Sequence, residues 1–147
     1  MKKGGILNTG LLQVVSDMGH GNMLFVVDRG FPFPVHDLTK TIDLAVGDNI
    51  PRFLEVVAVI LEDLEIEKAI IANETETVSP EVYRELIKVL GSVKNKGRDV
   101  VIEKIPHEEF KHLGLRGAQE GKEVKAIVRT GEFTPYSNVV LVSGVPF

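Results

Sequence analysis

The sequence contains no cysteine. That excludes thiol catalysis, disulfides and thiolate metal sites, and it fits a reducing compartment. The 17 basic and 21 acidic side chains give a net charge of −4, with no basic block and no interleaving of aromatic with basic residues. Nucleic acid is therefore not an expected partner. No apolar run approaches the length of a membrane span. Lys2 and Lys3 could imitate the start of a secretory signal, but Gly4, Gly5, Asn8, Thr9 and Gly10 interrupt the next stretch, and Leu11–Val15 includes Gln13. That stretch is too short and too polar for a signal core, so a cytoplasmic protein is expected.

Several catalytic signatures are also missing. No Gly-x-Ser-x-Gly elbow is present. Asp28-Arg-Gly-Phe-Pro lacks the glycine spacing of a dinucleotide site. Gly121-Lys122 is followed by Glu123, and Arg116 stands where a phosphate loop needs glycine. His107-Glu-Glu-Phe-Lys-His112 resembles a zinc-protease helix but is one residue too long. Two histidines five apart differ by about 140° around a helix and cannot share a metal from one face. No metal site is expected.

What is there reads as one domain over residues 1–147, with 44% hydrophobic and 26% charged residues, enough for a real core. The organising stretch is 19–34. Met23 to Val27 is apolar and rich in strand formers, the pattern of a strand buried on both faces. Asp28 closes it, and Arg29, Gly30, Pro32 and Pro34 force an irregular loop. Before it, residues 8–18 read as a helix capped by Asn8 or Thr9 and stopped by Gly19. Residues 35–50 do not separate into loop or short strand.

Pro51 can open a helix over 52–63 that is apolar on most of its circumference. Glu67 to Ala72 reads as a strand and Asn73 to Thr77 as a polar loop. Ser79 and Pro80 start an amphipathic helix ended by Gly97. Val100 to Ile105 reads as a strand, then a short helix from Pro106 to Leu113. Gly114 to Glu123 reads as an exposed, mobile loop. Lys125–Thr130 and Val139–Val142 are the last strands. Alternation of strands and helices gives an α/β fold, a three-layer sandwich with a mixed, mostly parallel sheet and helices on both faces. The last two strands are joined by about eight residues, which suits an antiparallel pair at the end of the sheet.

His20 stands between two glycines just before the central strand, and Asp28 lies just after it. The histidine suits a general acid/base or a simple helix terminator. Asp28 suits a ligand-binding carboxylate at a strand's carboxyl end or a turn residue ordering the Arg29-Gly30 bend. The two can meet only if the fold, or a second copy of the chain, brings them together. His107 by itself reads as a surface residue opening a helix, as do His36 and His112 as surface residues. Tyr136 and Asn138 are turn formers that also suit a sugar site.

Taken together, these stretches resemble the ribose pyranases, relatives of the fucose mutarotases. The motifs are Met1-Lys-Lys-Gly4 with Leu7-Asn8, Gly19-His20 with Asp28, Gly30, Pro32 and Pro34, and Ala69-Ile-Ile-Ala72. They continue with His107-Glu108, Phe110-Lys111, Ala126-Ile-Val-Arg-Thr-Gly-Glu132, and Pro135-Tyr-Ser-Asn138 running to Gly144-Val145 and Phe147. The resemblance covers essentially the whole chain. The departures are a longer 114–123 segment and the Met23–Phe25 stretch. The resemblance implies cofactor-free interconversion of pyranose and furanose forms of β-D-ribose. His20 would be the acid/base, and Asp28, His107, Tyr136, Ser137 and Asn138 would bind sugar. It also implies a ring-shaped homo-oligomer, a decamer of two stacked pentamers with sites shared between neighbours. The alternatives are a mutarotase for L-fucose or a related aldose, a non-catalytic sugar-binding module, and a metal-dependent enzyme built from His20, Asp28, His36 and His107.

Overall fold

Apolar strand sequences without polar interruption need cover on both faces, and this chain supplies it with helices. The computed structural model describes residues 1–147. In chain order the elements are α1 (Thr9–Asp17), β1 (Met23–Val27), β2 (Lys40–Asp43), α2 (Phe53–Asp63), β3 (Ile66–Ala72), α3 (Asn73–Val78) and α4 (Pro80–Gly91). There follow β4 (Lys94–Asn95), β5 (Arg98–Asp99), β6 (Val101–Ile105), α5 (His107–Arg116), a 3₁₀ turn (Ala118–Glu120), β7 (Val124–Arg129) and β8 (Val139–Ser143).

Six strands form one sheet in the order β2-β7-β1-β8-β3-β6, and β4 pairs with β5 as a separate hairpin. The pairs β1–β7, β2–β7 and β3–β6 are parallel. Only β8 runs against its neighbours, β1 and β3. Side-chain alternation divides the core. Leu24, Val26, Ala69, Ile71, Ala126 and Leu141 face a layer built from α1, α2 and α4. Phe25, Val27, Ile70, Ile127 and Val140 face the other side, where Phe110 of α5 packs. The mixed, mostly parallel α/β sandwich read from the sequence is the observed fold.

Several local expectations need correction. The closing strands are not a pair at the sheet's end: β8 inserts between β1 and β3, at the centre, and β1 separates it from β7. Residues 73–77, read as a loop, belong to α3 (Asn73–Val78). The α2 helix buries one side only, through Phe53, Val56, Val57 and Ile60, and leaves Val59 exposed. Helix α4 ends at Gly91, not Gly97; Gly97, with Lys96, takes positive φ in the β4–β5 turn. Segment 114–123 is largely helical, because α5 runs on to Arg116 and the 3₁₀ turn follows. Gly114 is buried there, where an added Cβ would lie 3.0 Å from the Phe25 ring. Residues 40–43 form edge strand β2.

Gly131 is fixed by close backbone approach. A Cβ at this position would stand 2.4 Å from the Ile50 carbonyl oxygen. The Gly131 N–H donates to Pro51 O at 2.9 Å, and its carbonyl accepts from Asn49 N at 2.8 Å, so neither side can retreat freely. Gly131→Ala is expected to cost about 1–3 kcal/mol, a fall in melting midpoint of at least a few degrees by thermal denaturation. Gly91→Ala, at a helix end with open space around the glycine, is the control and should be neutral or slightly stabilising.

Candidate functional site

The parallel strands β1, β3, β6 and β7 end on one edge of the sheet, and the antiparallel β8 begins there. Open α/β sheets bind ligands beyond that edge. Here it carries a cleft of about 450 Å³ whose walls include Asp28, His107, Lys111, Glu132, Tyr136 and Asn138.

Each side chain arrives by a separate route. Asp28 follows β1 directly, and its backbone N–H donates to Asn138 Oδ1 at 2.8 Å. Its own Oδ1 accepts from Gly30 N at 2.9 Å, which shapes the turn into the proline-rich loop. Phe31 from that loop meets Phe110 edge to face at 5.9 Å, and Phe25 meets Phe110 at 5.2 Å. These contacts dock α5 and set His107, its first residue, at the cleft. Arg129 and Arg29 both reach Asp43, at 2.6 and 3.3 Å, and Arg129 lies 4.0 Å over the Phe33 ring, so the loop is also tied to β2 and β7.

The His107 and Tyr136 rings meet edge to face at 4.8 Å. Glu132 is buried yet well partnered. It accepts from Phe53 N at the start of α2, from Arg52 Nη1, and from both the N–H and the hydroxyl of Thr134. The cleft therefore combines one half-buried carboxylate with imidazole, phenol and carboxamide, the polar set that fixes hydroxyl groups in an otherwise carbon-rich wall. Burial, the largest influence, raises the Asp28 pKa above its ordinary value. The Gly30 N–H, the Asn138 side chain, the charge of His107 and the Phe31 N–H only partly offset it. His107 Nδ1 and Ser137 Oγ are buried without a hydrogen-bond partner, the kind of polar atoms that a ligand or ordered water satisfies.

Of the residues singled out in sequence, Asp28, His107, Tyr136 and Asn138 converge. Ser137, between two of them, is fully buried and does not line the cleft. His20 does not converge. It sits in the turn before β1, at the opposite edge of the sheet, with its side chain 60% exposed and Nε2 3.0 Å from Glu67 Oε2. Five strand residues, about 16 Å of rise, separate the two ends of β1. His36 is elsewhere too, bonded to the Leu115 carbonyl. The metal-site grouping of His20, Asp28, His36 and His107 thus does not assemble within one chain, and no group of three or more potential ligands is placed to hold an ion.

Lys111 and Glu132 line the cleft without having been singled out. Lys111 falls one helical turn beyond His107, a spacing that puts both on one face. Glu132 had no local signal, because a carboxylate in a Thr-Gly-Glu bend reads as solvated until α2 is seen to start on it.

Similarity to known proteins places the chain in a family. A family model for the RbsD / FucU transport protein family matches residues 1–146. A D-ribose pyranase of Thermotoga petrophila is 48% identical over 147 residues, the full length of both chains. A D-ribose pyranase of Clostridium perfringens is 43% identical, again over the full length of both. The solved structure of Bacillus subtilis RbsD complexed with D-ribose superimposes with a TM-score of 0.83 at 37% identity, covering all of both chains. The Streptococcus pneumoniae fucose mutarotase in complex with L-fucose has a TM-score of 0.66 at 25% identity, covering 95% of this chain and 94% of that one. This chain belongs to the RbsD / FucU family.

Proposed function

We propose that this protein is a D-ribose pyranase, an isomerase that interconverts the pyranose and furanose forms of β-D-ribose. The observation that carries this reading is the convergence of Asp28, His107, Tyr136 and Asn138 on one cleft at the carboxyl edge of the sheet. Full-length relatives named D-ribose pyranase support it. The reaction needs no change of oxidation state. A proton is delivered to the ring oxygen as one is removed from the anomeric hydroxyl, and the hemiacetal opens to the aldehyde. Attack by a different hydroxyl closes the other ring with the reverse proton movements. Histidine can both donate and accept within that cycle near neutral pH.

We assign the acid/base role to His20. Glu67 holds its Nε2, which leaves Nδ1 free to exchange a proton with a sugar. Asp28, Asn138, Tyr136 and His107 hold hydroxyls, and the buried, unpartnered Ser137 Oγ is a further group for the sugar or an ordered water to satisfy. His20 cannot reach the cleft of its own chain, so a neighbouring subunit supplies it. This reading makes the protein a ring-shaped homo-oligomer, a decamer of two pentamers, working in the cytoplasm. Exposed apolar side chains beside the cleft accord with it. Val46, Ile50 and Phe133 are all exposed. Val46 N donates to Ile50 O, and Phe133 N donates to Asn49 Oδ1, so hydrogen bonds join the two segments that carry the three. Apolar patches of this kind mark protein contacts.

Saturation-transfer NMR between ring forms of D-ribose tests the activity. The protein should accelerate pyranose–furanose exchange, and His20→Ala should lose on the order of 10²–10⁴-fold of that acceleration. No acceleration with ribose, but acceleration with L-fucose, would move the assignment to a fucose mutarotase. Binding of ribose with no acceleration of either sugar would leave a sugar-binding module.

Asp28 yields a second prediction, from stability. Its raised pKa means that the native carboxyl keeps its proton to higher pH than the unfolded chain, whose value lies near 3.8. Between the two values the native state binds more protons, so this group's contribution falls as pH rises through that window and stays lowered at neutrality. Asp28→Asn keeps an acceptor for Gly30 N–H without the charge. It should lose activity while its urea midpoint equals or exceeds wild type at neutral pH, and this advantage should shrink in acid. A neutral-pH midpoint clearly below wild type would contradict the account.

A further inference from the structure

Helix α3 is short, polar and away from the cleft walls, yet it touches both halves of the sugar site. Glu74 Oε2 accepts the backbone N–H of His107 at 2.9 Å. Thr75 Oγ1 donates to the Tyr136 carbonyl at 2.7 Å. Ser79, directly after the helix, donates its hydroxyl to the Pro135 carbonyl at 2.6 Å. Thr75 is fully buried and Ser79 nearly so. Glu76 pairs with Lys104 on β6, the strand that leads into His107.

The segment they hold is strained. Tyr136 has φ of 59°, the left-handed region that bulky side chains avoid. A residue stays there only when its surroundings over-determine it. The Tyr136 carbonyl accepts two hydrogen bonds, from Thr75 and from Asn138 N at 2.9 Å, and the preceding carbonyl is held by Ser79. We propose that Thr75, Ser79 and Glu74 are positioning residues. They form a brace that fixes the Tyr136 ring against His107 and aims the Asn138 carboxamide at Asp28, and so set the affinity for sugar. None of the three lines the cleft. The inference rests on the ring-interconversion reading of that cleft and adds the device that holds it.

The brace predicts a separation of binding from chemistry. Thr75→Val keeps the side chain's shape and removes its donor, whereas Thr75→Ser keeps the donor. Because the brace bonds only Pro135, Tyr136 and His107 and the acid/base His20 comes from a neighbouring chain, the valine variant should raise KM for ribose exchange about tenfold, the loss of one buried hydrogen bond, while kcat stays near wild type. The serine variant should remain close to wild type in both.

Amide hydrogen exchange at Asn138, read by NMR, should be faster in Thr75→Val than in Thr75→Ser. Ser79→Ala should show the same KM rise and serves if the valine variant folds poorly. An unchanged KM in Thr75→Val, an equal rise in Thr75→Ser, or unaltered Asn138 exchange would overturn the brace. If the wild-type protein accelerated no sugar's exchange, the functional reading would fail, and the Asn138 comparison would still decide the brace.

Discussion

The hydrogen bond from Asp28 N to Asn138 Oδ1 joins the end of β1 to the start of β8, and the site depends on that junction. It exists because β8 runs antiparallel between two parallel neighbours, with Val26 opposite Val139. A parallel strand in that place would begin at the far edge of the sheet. The Pro135–Asn138 segment would then lie beside His20 rather than beside Asp28. One reversed strand therefore decides which chemical groups share a cleft. Everything else at that edge adjusts to the junction: α5 docks through Phe110, Glu132 ties the loop to the start of α2, and α3 holds the strained Tyr136 from behind.

The cleft that results is electrostatically uneven. Asp28 is half-buried and keeps its proton more readily than a free carboxyl, while Glu132 is buried but answered by a cation, a helix N-terminus and a hydroxyl. A carboxyl that gains little from the fold is a candidate for work on a ligand, because ligand hydroxyls can repay what the protein does not supply. A carboxyl saturated by the fold is a structural tie. The two acidic groups in the wall thus have separate parts, although their positions in sequence say nothing of it.

Much of the layer architecture is legible in the sequence, because β1 and β8 are nearly continuous apolar runs, β3 and β7 carry apolar centres at Ala69–Ala72 and Ala126–Val128, Asn8 caps α1 and Pro80 opens α4. Tyr136 and Asn138 read as residues that suit a sugar site and Asp28 as a ligand-binding carboxylate or a turn residue, and only the whole-chain resemblance joins the three to His107. What could not be read depended on contacts distant in sequence. Residues 73–77 look like loop because Asn, Glu and Thr are poor reporters of a helix whose side chains serve other segments. Gly97 looks like a helix stop, but Ser92 already closes α4 and the glycine serves a hairpin turn. The strand order places β8 in the centre, which loop length alone does not specify. The 114–123 segment reads as loop, but Gly114 packs against Phe25 and Phe31 and lets α5 run on to Arg116, while residues 119–123 are exposed as read.

The central claim is that His20 serves the cleft of a neighbouring chain. Subunit complementation tests it most directly. His20→Ala and Asp28→Asn proteins, each inactive alone, would be mixed in equal amounts, dissociated, reassembled and assayed for ribose ring exchange. A shared site pairs the intact Asp28 of one chain with the intact His20 of another, so random reassembly of a symmetric ring should restore about a quarter of wild-type activity. No recovery, with mixed oligomers confirmed by native mass, would mean that each site draws both groups from one chain and would contradict the account.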